Sequence, residues 1–269
     1  MEALFITLSA IGFILFLIPT KWRGYCGTAG WGFIVLYLIS EIPRYLSENN
    51  ILYPSMAVLS IPFLFITGKY LLQNDSRAFS LSKAAAVAFL IYAPFAYITL
   101  VGNWLIGVVT GEVLLLLNLF GQNAMLVAWN IIIRNGFRTE IILACTGIQS
   151  IAIMLGVVVA VPTTTRQKFI SFILIVPTIY ILNLFRNVGV IIAYTGQWFP
   201  YLPEIAGNGE YGYESFFWAH NIIAEFLALI FLIWIVYNLF RIIPALGELA
   251  SGLVEMYWGE IRKVSGKDK

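Results

Sequence analysis

Apolar segments bounded by charge, Pro or Gly mark seven candidate spans in this chain: 2–18, 29–45, 52–71, 84–102, 146–161, 169–194 and 218–240. Stretches of that length and character are what a helix needs to cross the hydrocarbon core of a bilayer, roughly 17–25 residues. Backbone in lipid must satisfy its own hydrogen bonds, and a helix does so within one segment. The expected fold is therefore all-α, a polytopic membrane helical bundle of about seven transmembrane helices. Composition agrees: only 11% of residues are charged, against about 25% in soluble domains, and mean hydropathy is +0.87. Little is left for a separate soluble domain. Residues 1–240 are expected to form a single transmembrane domain and 241–269 a basic cytoplasmic tail, lying on the lipid surface or solvated.

Charge order sets the orientation. Glu2 precedes the first apolar run and Lys21 and Arg23 follow it, the reverse of a secretory signal. That run reads as a retained span with its amino end outside. Seven crossings then put twelve basic residues inside and four, Arg44, Arg134, Arg138 and Arg186, outside, which follows the positive-inside rule. The segment 104–120, WLIGVVTGEVLLLLNLF, is apolar enough to be a further span. If it crossed, the count would become eight against eight and the bias would vanish. An interfacial or re-entrant element is expected there instead, which also suits Glu112 and Asn118.

Several function classes are excluded on the same grounds. A net charge of +2 is too small to indicate a nucleic-acid partner. One histidine and two cysteines without ligand spacing give no metal site. No phosphate-cradling glycine motif occurs, and no cofactor is expected. Cys26 reads as apolar packing, on the opposite side of the membrane from Cys145.

Polar groups within or at the mouth of spans are where a membrane protein places function. Cys145 in ILACTGIQS, Arg186 in ILNLFRNVGV and His220 in FFWAHNIIAEF all fall at the outer ends of their spans. Cys145 is expected at the start of an inward-running helix, where a helix amino terminus and nearby cations favour thiolate. Beside it, Thr146 and Gly147 leave backbone N–H groups to face an oxyanion; apolar packing is the alternative. Arg186 keeps its charge and requires a partner, unless it snorkels to the interface. His220, at a helix start, is expected to be neutral and able to accept a proton, or to serve as a polar anchor. Asn187, Asn221 and Glu225 are expected to support these groups. The loop 197–219, with Glu204, Glu210 and Glu214, reads as a glycine-turned surface loop, or as a lip guiding a substrate chain.

The segments ACTGIQS, LFRNVGVI and AHNIIAE, in this order near the outer ends of consecutive spans, resemble the Cys, Arg and Arg/His signatures of the exosortase and archaeosortase family. The resemblance implies a membrane-embedded cysteine transpeptidase in the cell membrane, multi-pass, with its site on the extracellular side. Such an enzyme cleaves a carboxyl-terminal sorting signal on exported, membrane-anchored substrate proteins and transfers the new carboxyl end to a membrane lipid. The similarity is greatest to the archaeal branch, whose substrates carry a Pro-Gly-Phe signal. By the same resemblance Cys145 is the nucleophile, Arg186 supports thiolate and oxyanion, and His220 takes a position that the family fills with histidine or arginine. A small transporter or channel, and a membrane cysteine protease without lipid transfer, are the competing readings.

Overall fold

The computed structural model describes residues 2–47 and 52–264. Lys267 and Lys269 of the expected basic tail lie outside the described residues. The apolar runs fold as helices: α1 (Glu2–Leu17), α2 (Arg23–Ser40), α3 (Ile42–Ser47), α4 (Leu52–Leu72), α5 (Ser76–Tyr97), α6 (Thr99–Leu119), α7 (Ile148–Ala160) and α8 (Thr165–Thr195). After two short turns, α9 (Pro203–Ala206) and α10 (Tyr213–Phe216), a π-helix over Phe217–Ala224 leads into α11 (Glu225–Ile242). The last helix is α12 (Pro244–Val264). Six helical stretches among the described residues are long and apolar enough to cross a bilayer, and two more, Leu4–Leu17 and Ile148–Ala160, are apolar but shorter. The chain is a polytopic helical membrane protein.

Two features differ from the sequence expectation. Over 104–120 the structure has one unbroken helix, α6, whose 21 residues match a span in length and hydropathy. It is separated from α5 by the single extended residue Ile98. The all-α reading is also incomplete, because three short antiparallel strands, β1 (Met125–Ala128), β2 (Ile131–Arg134) and β3 (Phe137–Glu140), form a sheet in the order β1-β2-β3. The β2–β3 turn is Asn135-Gly136, both at positive φ (51° and 84°), the backbone that a two-residue hairpin requires.

Packing divides the chain into two compact units. The first comprises Met1–Leu90, Leu155–Thr165 and Ile243–Lys269. Within it α1 and α2 approach so closely that a Cβ on Gly12 would sit 2.8 Å from the Gly30 backbone. Small residues permit such contact, which gives helices in lipid their dispersion attraction. Ser9 donates to the Gly30 carbonyl there (2.9 Å). Of the residues expected as a tail, Pro244–Val264 fold as α12 and pack on α4: Tyr257 stacks on Phe63 and shares a hydrogen bond with Thr67 (2.6 Å), and Glu260 pairs with Lys69 (2.6 Å).

The second unit comprises Ile91–Met154 and Arg166–Ile242. Its core joins Ile106, Val109, Val113 and Leu117 of α6 to Ile132 of β2 and to Leu184, Val188 and Ile191 of α8. Arg134 fastens the sheet to the end of α8, reaching the Thr195 hydroxyl and the Gln122 side chain. Asn135 donates to the Thr195 carbonyl (3.2 Å), and Phe137 packs edge-on against Tyr194.

Candidate active site

Cys145 lies in a 3-10 turn, Leu143–Thr146, that connects the sheet to α7. It therefore precedes the first turn of α7 instead of belonging to it. The turn ends at Gly147, whose φ of +78° is left-handed, a conformation glycine adopts without strain. The next N–H, that of Ile148, points back to the Thr146 Oγ1 (3.4 Å). Thr146 is buried, with its hydroxyl donating to the Leu143 carbonyl (2.7 Å).

The Cys145 carbonyl accepts two side-chain amides from α8, Asn183 Nδ2 at 2.5 Å and Asn187 Nδ2 at 2.7 Å. Residues four apart share a helix face, so the two asparagines close on one oxygen. This fixes the 3-10 turn against the stretch of α8 that carries Arg186. Among the described residues the Cys145 thiol makes no hydrogen bond, and its side chain packs against the apolar cluster formed by α6, the sheet and α8. Asn183 was not among the residues expected from sequence. Its spacing from Asn187 was visible there, but a main-chain carbonyl as the partner leaves no mark in the sequence.

Arg186 sits nine residues before the end of α8. Its Nη2 lies 3.2 Å from Glu225 Oε1 and 3.4 Å from His220 Nε2. Guanidinium only donates, so in this contact Nε2 accepts and Nδ1 carries the proton, which it gives to Asn221 Oδ1 at 2.7 Å. The structure thus brings Arg186, His220, Asn221 and Glu225 into one chain of contacts. His220 does not begin a helix as expected. It lies seven residues inside a continuous helical stretch, Tyr213–Ile242, within the π segment, and its ring stacks on Phe216 (4.9 Å). The helix-start argument for its neutrality is replaced by this contact geometry. π-Helical turns are rare and concentrate at functional sites.

The loop before the π segment is tied down. Gln197 donates to the carbonyls of Tyr194 (2.7 Å) and Gly212 (3.1 Å), and the Trp218 indole donates to the Tyr201 carbonyl (2.9 Å). Beside Arg186 opens a cavity of about 540 Å³, lined at this end by Gly147, Ser150 and Asn183, and farther along by apolar side chains including Trp198 and Phe199. Neither Cys145 nor His220 is part of that lining. Both cysteines are free thiols, and among the described residues no group of three or more His, Cys, Asp or Glu is arranged to hold a metal ion.

These features define a multi-pass helical membrane protein in which α8 holds the cysteine turn through Asn183 and Asn187 and meets the helix of His220 and Glu225 through Arg186. The chain belongs to the family described as transmembrane exosortase, whose sequence profile matches residues 2–208. It is similar to archaeosortase A of Haloferax volcanii, 27% identical over 257 residues covering 87% of this chain and 85% of that protein. It is also similar to archaeosortase A of Natronomonas pharaonis, 26% identical over 251 residues covering 85% and 79% of the two chains. No solved structure matches it.

Proposed function

We propose that this protein is a cysteine transpeptidase of the cell membrane. In this reading it cuts exported, membrane-anchored proteins at a carboxyl-terminal sorting signal of Pro-Gly-Phe type and joins the new carboxyl end to a membrane lipid. The observation that carries the reading is the double amide clamp from Asn183 and Asn187 onto the Cys145 carbonyl, which sets the cysteine turn on the part of α8 whose Arg186 meets His220 and Glu225. Family membership and the two archaeosortase A relatives support it.

The steps follow from ordinary acyl transfer. Cys145 Sγ, as thiolate, attacks the scissile carbonyl carbon. The oxyanion gains support from the fixed charge of Arg186. The C–N bond breaks, the departing amine takes a proton, and a thioester remains. A nucleophile on the lipid headgroup, an amine or hydroxyl, then attacks the thioester carbon, loses its proton and releases the Cys145 thiol. His220, with Nδ1–H held by Asn221 and Nε2 facing Arg186, carries these protons in this reading once Nε2 exchanges the Arg186 N–H for the reacting group, a rearrangement that substrate binding would bring about. A substrate anchored by its own helix presents its cleavage site at the outer interface, which supplies proximity.

The direct test is Cys145→Ala expressed in its own membrane. Uncleaved precursor should accumulate while the variant inserts at normal level. Continued processing would remove Cys145 as nucleophile and the transpeptidase reading with it.

A further inference from the structure

The cavity beside Arg186 is long and narrow. Its walls run along the π segment and α11 from Ala219 to Ile235 and along α8 from Ile179 to Ala193, and they are overwhelmingly aliphatic and aromatic. Sixteen residues of helix cover roughly 24 Å. Spread over that length, even the whole empty volume of about 1370 Å³ leaves a cross-section of about 57 Å², against about 80 Å² for a slim helix 10 Å across. A transmembrane helix does not fit inside such a groove. One extended hydrocarbon chain does, and apolar walls with a few polar groups, here Asn183 and Arg186 midway along α8, are the ordinary build of a ligand site.

The polar groups specify the head of that ligand. Arg186 is mostly buried, its side chain 18% exposed, and both of its contacts use Nη2. Among the described residues the N–H groups of Nε and Nη1 have no partner. A guanidinium edge of this kind matches two oxygens of a phosphate. Glu225, the anion now paired with Arg186, is 62% exposed and is held less firmly than the guanidinium it contacts.

We propose that the groove holds one hydrocarbon chain of a membrane phospholipid, with the lipid's phosphate on the free edge of Arg186. The inference rests on the acyl-transfer reading and gives its acceptor substrate a binding site. Asn183, which lines the groove, also donates to the Cys145 carbonyl, so a headgroup at Arg186 lies beside the cysteine turn.

Gly189 provides the test. It lines the groove on α8, and a Cβ built there meets nothing within 4 Å, so a side chain enters the open space without displacing backbone. Native mass spectrometry of the purified protein with added phosphatidylglycerol should show one lipid retained by the wild type and by Gly189→Ala. Gly189→Phe should bind it about tenfold more weakly, with helicity unchanged by circular dichroism. Ile223→Trp fills the groove from the opposite wall and should behave alike, which covers a folding defect in either variant. Single-chain lysophosphatidylglycerol should bind and glycerol phosphate should not. Among cleaved products in membranes, the ratio of lipid adduct to free carboxylate should fall about tenfold in the filled variants. Equal lipid retention by wild type and both filled variants overturns the proposal. So does reduced cleavage at an unchanged product ratio, which would assign the groove to the substrate peptide. Processing by Cys145→Ala would defeat the acyl-transfer reading and leave the lipid-retention result standing.

Discussion

The planar trans peptide points each carbonyl opposite to the N–H of the next residue, so holding the Cys145 carbonyl on Asn183 and Asn187 directs the Thr146 N–H away from α8. Gly147 then turns the chain into α7. A Cβ there would face a left-handed φ of +78° and lie 3.3 Å from the Asn183 side chain. Gly147→Ala should cost about 1–2 kcal/mol in backbone strain and reduce processing well beyond what that loss of stability explains. Circular dichroism and a precursor-cleavage assay, run together, separate the two effects, and unchanged cleavage would refute the importance of the turn. Much of this neighbourhood was legible in the sequence, because Cys145, Arg186 and His220 are polar groups in apolar surroundings, and Asn187, Asn221 and Glu225 lie within helical reach of them. What escaped was Asn183, whose partner is a backbone atom common to every residue.

At the scale of elements the π segment decides which side chains meet Arg186. An α-helix turns about 100° per residue, so His220 and Glu225, five apart, would point about 140° away from each other. The i→i+5 winding of Phe217–Ala224 brings such residues toward one face, and both contact Arg186 Nη2. Deleting Ile222 should restore α winding, keep Glu225 on Arg186 and swing His220 away by about 100°. Processing should be lost with helicity preserved, and a deletion variant that still processes would show that His220 need not face Arg186. The span containing this segment was legible from its apolar run, but the winding was not, since α and π turns draw on the same residues. The sheet shows a different kind of omission. Asn-Gly between two β-prone tetrads, IIIR and FRTE, is a hairpin signal in its own right, obscured by strands of four residues between much longer helices. For α6, the charge count argued against a crossing, whereas its length and hydropathy are those of a span; an even split of basic residues weakens the charge signal without forbidding the helix.

Across the whole molecule, the last helix shows how far a short basic ending can be organised. Glu260 of α12 contacts Lys69, Lys263 and Tyr70 (2.6, 3.0 and 3.1 Å), and the Lys69 contact first, then Lys263, hold its carboxyl at about 2, below the ordinary 4.5. A depressed carboxylate supports the folded state fully above 4.5, and that support declines as pH falls and is gone near 2. Limited proteolysis of α12 across this range should show docking loosen below pH 4.5, and Lys69→Met should shift the loosening to higher pH. An identical profile in the variant would rule the ion pair out. The sequence indicated a basic, amphipathic ending, while its attachment to α4 depended on Tyr257 and Thr67, which only packing brings together. The π-helix has a genealogical side as well. One residue inserted into an α-helix whose two flanks stay fixed has to be absorbed as a wider turn. Descendants that lost or never gained that residue would align through this helix with a one-position gap. A histidine in one lineage and an arginine in another could then occupy the same place in space while standing in neighbouring columns, and their kinship would be read correctly only along the turns of the helix.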